Sequence, residues 1–429
     1  MTKLLTIGAS AVLSTLFSFA GEAAVTETVL HGFQGGADGL SAQGSLIMDS
    51  SGAFYGVTQS GGSANAGIVF KLTAPPSGTG TWTEEVLHDF AVDGVDGTFP
   101  AAGLIMDASG ALYGTTTSGG TIGAGIVFKL TPPTNGATTW TETVLHSFKG
   151  GNDGGVPQAR LLADASGALY GTTTQGGGTE PFGTVFKLTP PAAGTTSWTE
   201  KILHSFSLSG SATVGPGADG IMPQADLIMD SKGALYGTTS QGGAGGVGIA
   251  FKLTPSATGA TTWTETILYA FQGGTDGSNP AAGLLMDATG ALYGTTVSGG
   301  DFDQGEVFKL IPPTAGQNAW IKGQAYAFKG GTDGSGPRSD LIMDASGALY
   351  GTTEGGIGNS FGTAFKLTAA PSNVIATGLV ETILHNFTGS DGNAPAAGLL
   401  LKTSSGSIFG TTTGGGTLHN GGTVFKLAD

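Results

Sequence analysis

One four-residue phrase recurs seven times along the chain. Val69-Phe70-Lys71-Leu72 returns with its first residue at Val127, Val185, Ala250, Val307, Ala364 and Val424, at spacings of 58, 58, 65, 57, 57 and 60 residues. A period this regular means one architecture assembled from repeated units, and it has to be recognised before any local motif is read. It also complicates functional reading, because nearly every polar residue that resembles a catalytic group belongs to the repeat.

The second copy shows the internal order of a unit. It runs Leu104-Ile105-Met106-Asp107, then Ala111-Leu112-Tyr113-Gly114-Thr115-Thr116, then Gly125-Ile126-Val127-Phe128-Lys129-Leu130, then Trp140-Thr141-Glu142-Thr143-Val144-Leu145-His146. Each run is rich in aromatic and β-branched residues and is bounded by turn chemistry: Asp-x-Ser-Gly, Gly-Gly, Pro-Pro, and a Gly-Gly-x-Asp-Gly segment that ends near a proline. No stretch beyond the first two dozen residues carries helical apolar spacing long enough for a stable helix. The expected class is therefore all-β.

Four strands per unit of this length match propeller blades, whereas a β-helix coil would repeat on a shorter period. The expectation is a seven-bladed β-propeller of four-stranded antiparallel blades, occupying residues 24–429 as one domain. By resemblance to the inner hairpin of many propellers, the Leu-Ile-Met-Asp strand should line the channel and the Trp-Thr-Glu strand should lie outermost. The chain opens on an outer-type strand, Thr26–His31, and closes on a third-type strand, Thr423–Leu427. Pairing residues 26–31 antiparallel with 423–428 would complete the seventh blade and leave no open edge at the closure.

The tandem units, with Tyr-Gly-Thr-Thr followed by Gly-Gly and then Gly-x-Val-Phe-Lys-Leu-Thr, resemble the bacterial GloVer repeats of the "choice-of-anchor" proteins. The resemblance covers residues 26–429. It implies an exported repeat protein and transfers no catalytic residue. The surface anchors often appended to such repeats are not expected after Asp429, which follows a strand directly.

Glycine supplies 79 of 429 residues, concentrated in turns, and only 11% of residues are charged, which suits sheets stacked with both faces covered. Residues 1–23 differ. Lys3 precedes an apolar stretch from Leu4 to Ala20, with small residues at Gly21, Ala23 and Ala24, the layout of a secretory signal peptide cleaved after Ala20 or Ala23. The apolar run is short of the ~20 residues of a spanning helix. The expected location is secreted, periplasmic or cell-surface, with no membrane span after signal removal. The absence of cysteine rules out thiol catalysis and cysteine-ligated metal. A net charge of −15, with seven of 16 basic residues being the repeated lysine, argues against nucleic acid as a partner. A monomer is expected.

Repeated polar residues are read first as structure. Asp38, Asp96, Asp153, Asp219, Asp276, Asp333 and Asp391 recur before glycine; such a ring would suit calcium or glycan hydroxyls, but an Asp-Gly turn explains it more simply. Asp49, Asp107, Asp164, Asp230, Asp287 and Asp344 read as hairpin-turn residues, since the seventh copy has Lys402 and an altered turn. His31, His88, His146, His204 and His385 share one outer-strand position where Tyr269 and Tyr326 also occur; packing tolerates that exchange, whereas a metal ligand or general base would not. Lys71, Lys129, Lys187 and Lys252 each precede an outer-strand glutamate by 13 residues: Glu84, Glu142, Glu200 and Glu265. A constant hairpin would set each pair directly across the sheet, with Glu27 meeting Lys426 on closure. In the fifth copy Lys309 would meet Lys322, and the two are expected to turn apart or find other acidic partners.

Function is expected where the repeat is broken. The fifth blade's loop holds Asp301, Asp303, Gln304 and Glu306, and three of these carboxyl groups could surround one calcium ion. Glu354 and His419 are further unrepeated polar residues, and Ser207–Ala218 lengthens one loop. Catalytic residues: none is assigned. Loops held by a rigid scaffold commonly bind, so the Asp-Gly and Gly-Gly loops, expected on one face, are the candidate surface for a glycan or a surface protein. The alternative is a polysaccharide hydrolase or lyase using the asymmetric acidic residues, although these form no recognised catalytic spacing.

Overall fold

Turn chemistry cuts each repeat into four short strands, and these pair in sequence order as antiparallel meanders. In a computed structural model that describes residues 25–428 apart from 79, 135–136, 179–180, 208–218, 257–261, 356–360, 371–377 and 417–419, seven such meanders form the blades of a β-propeller. Blade two is representative: Ile105–Met106 innermost, then Leu112–Thr116, Ile126–Thr131 and, outermost, Thr141–Ser147. The described residues contain no α-helix, only four single 3₁₀ turns ending at Asp38, Asp153, Asp276 and Asp333.

The ring closes as expected. Strand Thr26–Gly32 pairs antiparallel with Thr423–Ala428 and completes the seventh blade. The hydrophobic repeat explains the core between blades: the Phe of each Phe-Lys-Leu strand is buried and meets, edge to face, a phenylalanine that follows the outer strand of the preceding blade. Seven such pairs, Phe33–Phe70 and Phe90–Phe128 among them, have ring centroids 5.0–5.3 Å apart. Aromatic pairs in this geometry add roughly 0.5–1.5 kcal/mol each beyond area burial. The glycine of Tyr-Gly-Thr-Thr makes room for them; a Cβ on Gly114 would lie 2.6 Å from Phe128 Cζ.

A β-bulge sits in the outer strand of every blade, as between the Val127–His146 and Phe128–Val144 pairs. Glu142 and His146 are four residues apart and would share one face of a regular strand. The extra residue, Leu145, reverses the alternation, so the glutamate and the histidine face opposite neighbouring blades.

That register corrects one expectation. Lys129 stands opposite Thr143, and Glu142 stands opposite Leu130, so the lysine and its presumed partner lie on opposite faces. The same one-residue offset separates Lys71, Lys187 and Lys252 from Glu84, Glu200 and Glu265, and Glu27 faces Leu427 rather than Lys426. The lysines instead lie over a tyrosine of the second strand, with Nζ 4.7–5.7 Å from the ring centroid in six blades. In blades two to five they also reach the inner-turn aspartate at 3.6–4.0 Å. Lys309 and Lys322 do find separate acidic partners, Asp287 for the first and Asp276 with Glu306 for the second.

The inner-turn aspartates are turn residues as read. Asp107 accepts hydrogen bonds from the Ser109 and Ala111 amides, the Ser109 hydroxyl and the Tyr113 hydroxyl. Partial burial pushes its carboxyl up, but these bonds outweigh burial and hold it below the ordinary aspartate value of 3.8.

Candidate functional site

The Asp-Gly and Gly-Gly loops lie on one face. Gly97–Thr98 pairs with Ser118–Gly119, Gly220–Ile221 pairs with Gln241–Gly242, and Gly155, Ser278, Ser335 and Asn393 make equivalent single bridges. At the centre of this face each blade contributes one residue with φ between 49° and 63°: Ser41, Phe99, Val156, Met222, Asn279, Gly336 and Ala394. For non-glycine residues this conformation is strained and needs enforcement from outside. Hydrogen bonds to the preceding blade and within the residue's own blade supply it. The amide of Phe99 donates to Ala66 O at 2.7 Å, and its carbonyl accepts from the Thr117 amide at 3.2 Å. Phe99 and Met222 remain more than a third exposed on this rim, and Ile122 and Phe302 stand further out.

Inside the rim the seven segments that lead into the innermost strands converge on the axis. They enclose a channel of about 180 Å³, which opens into a basin of about 450 Å³ on the loop face. Here the sevenfold repeat breaks down. The mouth position reads Gln43, Ala101, Gln158, Gln224, Ala281, Arg338 and Ala396 around the ring. Two residues deeper the series is Ser45, Gly103, Arg160, Asp226, Gly283, Asp340 and Gly398. Arg160 pairs with Asp226, Nε to Oδ2 at 2.9 Å, and its backbone amide donates to Asp226 Oδ1 at 2.7 Å. Asp340 accepts from the Gly283 amide at 2.6 Å. Gly283 has no room for a side chain, since a Cβ there would come within 3.0 Å of both Asp226 and Asp340. Burial first, and then the negative charge of Asp340, raise the Asp226 carboxyl to about 7, with Arg160 opposing the shift. Arg338 at the mouth pairs with Glu354, Nε to Oε2 at 2.7 Å.

The residues singled out in the sequence are scattered relative to this centre. Glu354 belongs to the mouth through Arg338. Asp301 and Asp303 are exposed on the fifth blade's loop, where Asp303, at φ 57°, accepts from the Gly299 amide as a turn residue. Gln304 lies beside Gly330, and its carbonyl accepts from the Gly336 amide. Glu306 is wholly buried between blades four and five, held by Lys322 at 2.6 Å and Gln324 at 2.9 Å. Asp301, Asp303 and Glu306 therefore do not converge as the calcium set that their spacing suggested, because the strand that begins at Glu306 turns that side chain into the sheet. His419 and most of Ser207–Ala218 lie outside the described residues.

The groups that do converge with metal-ligand chemistry are at the blade seams. His31–Asp38–Glu84, His88–Asp96–Glu142, His146–Asp153–Glu200, His204–Asp219–Glu265 and His385–Asp391–Glu27 each bring one imidazole nitrogen and two carboxylate oxygens within 4.8 Å of one another. The histidine and aspartate come from one blade and its exit loop, and the glutamate comes from the outer strand of the next. Each aspartate also caps its own loop, as Asp153 does at the Lys149 amide, so the turn reading holds but is incomplete. Each histidine packs edge-on against a phenylalanine two residues on, at 4.6–4.8 Å. Two seams differ: Tyr269–Asp276 meets Lys322 and Glu306, and the Tyr326 hydroxyl bridges Asp333 and Glu381 at 2.6 and 2.9 Å. The sequence did carry these triads, but as three separately repeated columns whose joining depends on the bulge.

The geometry defines a closed seven-bladed propeller with an asymmetric polar channel at its loop face. The chain belongs to the Gloeobacter/Verrucomicrobia repeat family, which matches residues 4–218 and 211–425. Among solved structures it is similar to the extracellular domain assigned to a hybrid two-component system of B. thetaiotaomicron, at 14% identity and TM-score 0.53, covering 92% of this chain and 39% of that one. It thus spans well under half of that larger chain. It is also similar to an oxidoreductase (glucose dehydrogenase) of Thermus thermophilus, at 16% identity and TM-score 0.43, covering 77% and 94%. A third likeness is to a protein of unknown function from Dyadobacter fermentans, at 12% identity and TM-score 0.44, covering 95% and 100%. At these identities the likenesses bear on fold alone. No curated protein matches the chain. Among the described residues no helix is long and apolar enough to cross a membrane.

Proposed function

We propose that the protein is an exported binding module that takes a polar glycan at the channel mouth of its loop face, without chemistry of its own. The observation that carries this reading is the loss of sevenfold symmetry at the mouth. Three glutamines and Arg338 at the mouth, and Arg160, Asp226 and Asp340 below it, occupy positions that are alanine, glycine or serine elsewhere in the ring, and Glu354 pairs with Arg338. Amide and guanidinium groups are suited to hydroxyl recognition, and the apolar rim of Phe99 and Met222 offers surfaces for sugar faces. The hydrolase alternative asks for two carboxyls separated by roughly 5–9.5 Å. Asp226 and Asp340 instead crowd one point beside Arg160, each reaching within 3.0 Å of where a Cβ on Gly283 would stand. Export rests on the signal-like layout of residues 1–23, and the same layout supports a secreted, periplasmic or surface location.

A glycan array followed by calorimetry on the full chain tests the reading. Binding should weaken at least about tenfold, or 1.4 kcal/mol, in Gln158→Ala and Arg338→Ala, and should be unchanged in Pro133→Ala on the opposite face. Equal loss in all three, or steady release of reducing ends from a bound polysaccharide, would reject it.

A further inference from the structure

We propose that the five His–Asp–Glu seams are divalent transition-metal sites, of zinc-like chemistry, which clasp neighbouring blades together. The donor set is one imidazole nitrogen and two carboxylate oxygens, a combination suited to zinc and its first-row neighbours and not to calcium, which takes six to eight oxygens. Separations agree. An ion about 2.1 Å from each ligand in a tetrahedral site holds its ligand atoms roughly 3.4 Å apart. Each histidine Nε2 is 2.9–3.2 Å from its aspartate, sharing a hydrogen bond that an ion would replace, and the two histidine-to-glutamate contacts are 3.7 and 3.9 Å. The histidine side chains keep 14–18% of their surface exposed, so the seams are reachable from solvent.

Two independent observations indicate that a cation belongs there. First, Oε1 of the seam glutamate is buried and accepts no hydrogen bond at all five seams, as is also true of Glu381 at the Tyr326 seam, while at the remaining seam the corresponding acceptor, Glu306 Oε1, meets the Lys322 ammonium. A buried acceptor left without a partner is costly, and such atoms call for an explanation. Second, at the seam between blades four and five the glutamate position is occupied by Lys322. Its ammonium sits 3.2 Å from Asp276 and 2.6 Å from Glu306, so a positive charge is built in at the equivalent point. At that seam, and at the one after it, the histidine is replaced by tyrosine, a poorer ligand for such a metal. Histidine and a second carboxylate thus occur together at five seams.

The test strips the full chain with chelator, titrates it with Zn²⁺ alone, and reads bound metal by mass spectrometry and unfolding temperature by calorimetry. The expected result is close to five equivalents per chain, with a rise of about 5 °C or more in the transition, as mass action on the folded state requires. Glu142→Gln, which mimics the protonated acid and should leave the fold intact, should take four. The triple change Lys322→Glu, Tyr269→His, Glu306→Ile should take six. Cobalt substitution should give a visible spectrum whose intensity falls by one fifth in Glu142→Gln. An unmoved transition under Zn²⁺, or a stoichiometry indifferent to Glu142→Gln and to the triple change, would overturn the proposal. The glycan experiment at the mouth uses different residues, so either reading can fail alone.

Discussion

At the scale of single residues the molecule sorts its carboxyls into two populations with opposite pH behaviour. Burial, aided by Asp333, raises Glu381 from the ordinary glutamate value of 4.5 to about 8, and burial with Asp340 raises Asp226 to about 7. Each folded-state group holds a proton that the unfolded chain would have released. Its stabilising contribution is complete below the unfolded value near 4 and is lost as pH climbs through the folded one. The inner-turn aspartates behave in reverse: held below 3.8, they stabilise above that value and lose their contribution as pH falls through the lowered one. In the presence of chelator the unfolding temperature should therefore be highest at mildly acidic pH, near 4–5. Glu381→Gln should flatten its decline between pH 5 and pH 8.5; an unchanged slope in calorimetry would count against this assignment. Tyr113→Phe, which removes the hydroxyl bonded to Asp107 at 2.9 Å, should cost about 0.5–1.5 kcal/mol in denaturant unfolding.

At the scale of elements, the strand order, the antiparallel closure and the common face of the two glycine-rich loops were legible, because each follows from turn residues and from which strand types stand at the chain ends. What escaped was register. A 13-residue spacing between Lys129 and Glu142 looked like a cross-strand pair, but the hairpin sets Thr131 opposite Thr141 and so moves the lysine one place along. The outer-strand bulge leaves no compositional mark, so the joining of His88, Asp96 and Glu142 from two blades was hidden as well. The axial cluster was missed for a different reason. Arg160, Asp226 and Asp340 share one position in the repeat, which is serine or glycine in the other four copies, and the visible clue was the variability of that position before the Leu-x-Met-Asp strand. Two substitutions probe these elements. Gly114→Ala forces a methyl group against the Phe128 ring and should destabilise by about 1–3 kcal/mol. Deleting Leu145 removes the bulge, returns Glu142 and His146 to one face, and should lower the unfolding temperature more than Leu145→Ala does.

At the scale of the whole molecule, the ring depends on a strand supplied from the far end of the sequence. Removing residues 25–32 would expose the edge of Thr423–Ala428 and take away Leu30, Glu27 and the strand that holds Phe33 in place. An unpaired edge of this kind invites pairing with another chain. The truncated protein should unfold at lower temperature and run as dimers or larger species in light scattering, whereas a monomer of unchanged stability would show that closure contributes little. The seven buried phenylalanine pairs make every seam apolar at its centre, so an opened ring loses packing at one interface while the other six remain intact.

The left-handed residues at the mouth have a consequence for diversification. Their backbone shape is enforced on both sides by amide and carbonyl bonds to neighbouring loops, as at Phe99, so the side chain carries none of the burden of holding the ring. Ser41, Phe99, Val156, Met222, Asn279, Gly336 and Ala394 already span small, polar, aliphatic and aromatic types at one shared geometry. The mouth thus works as a display of seven interchangeable letters on a fixed frame. Rewriting it would change what the molecule recognises while leaving how it folds almost untouched.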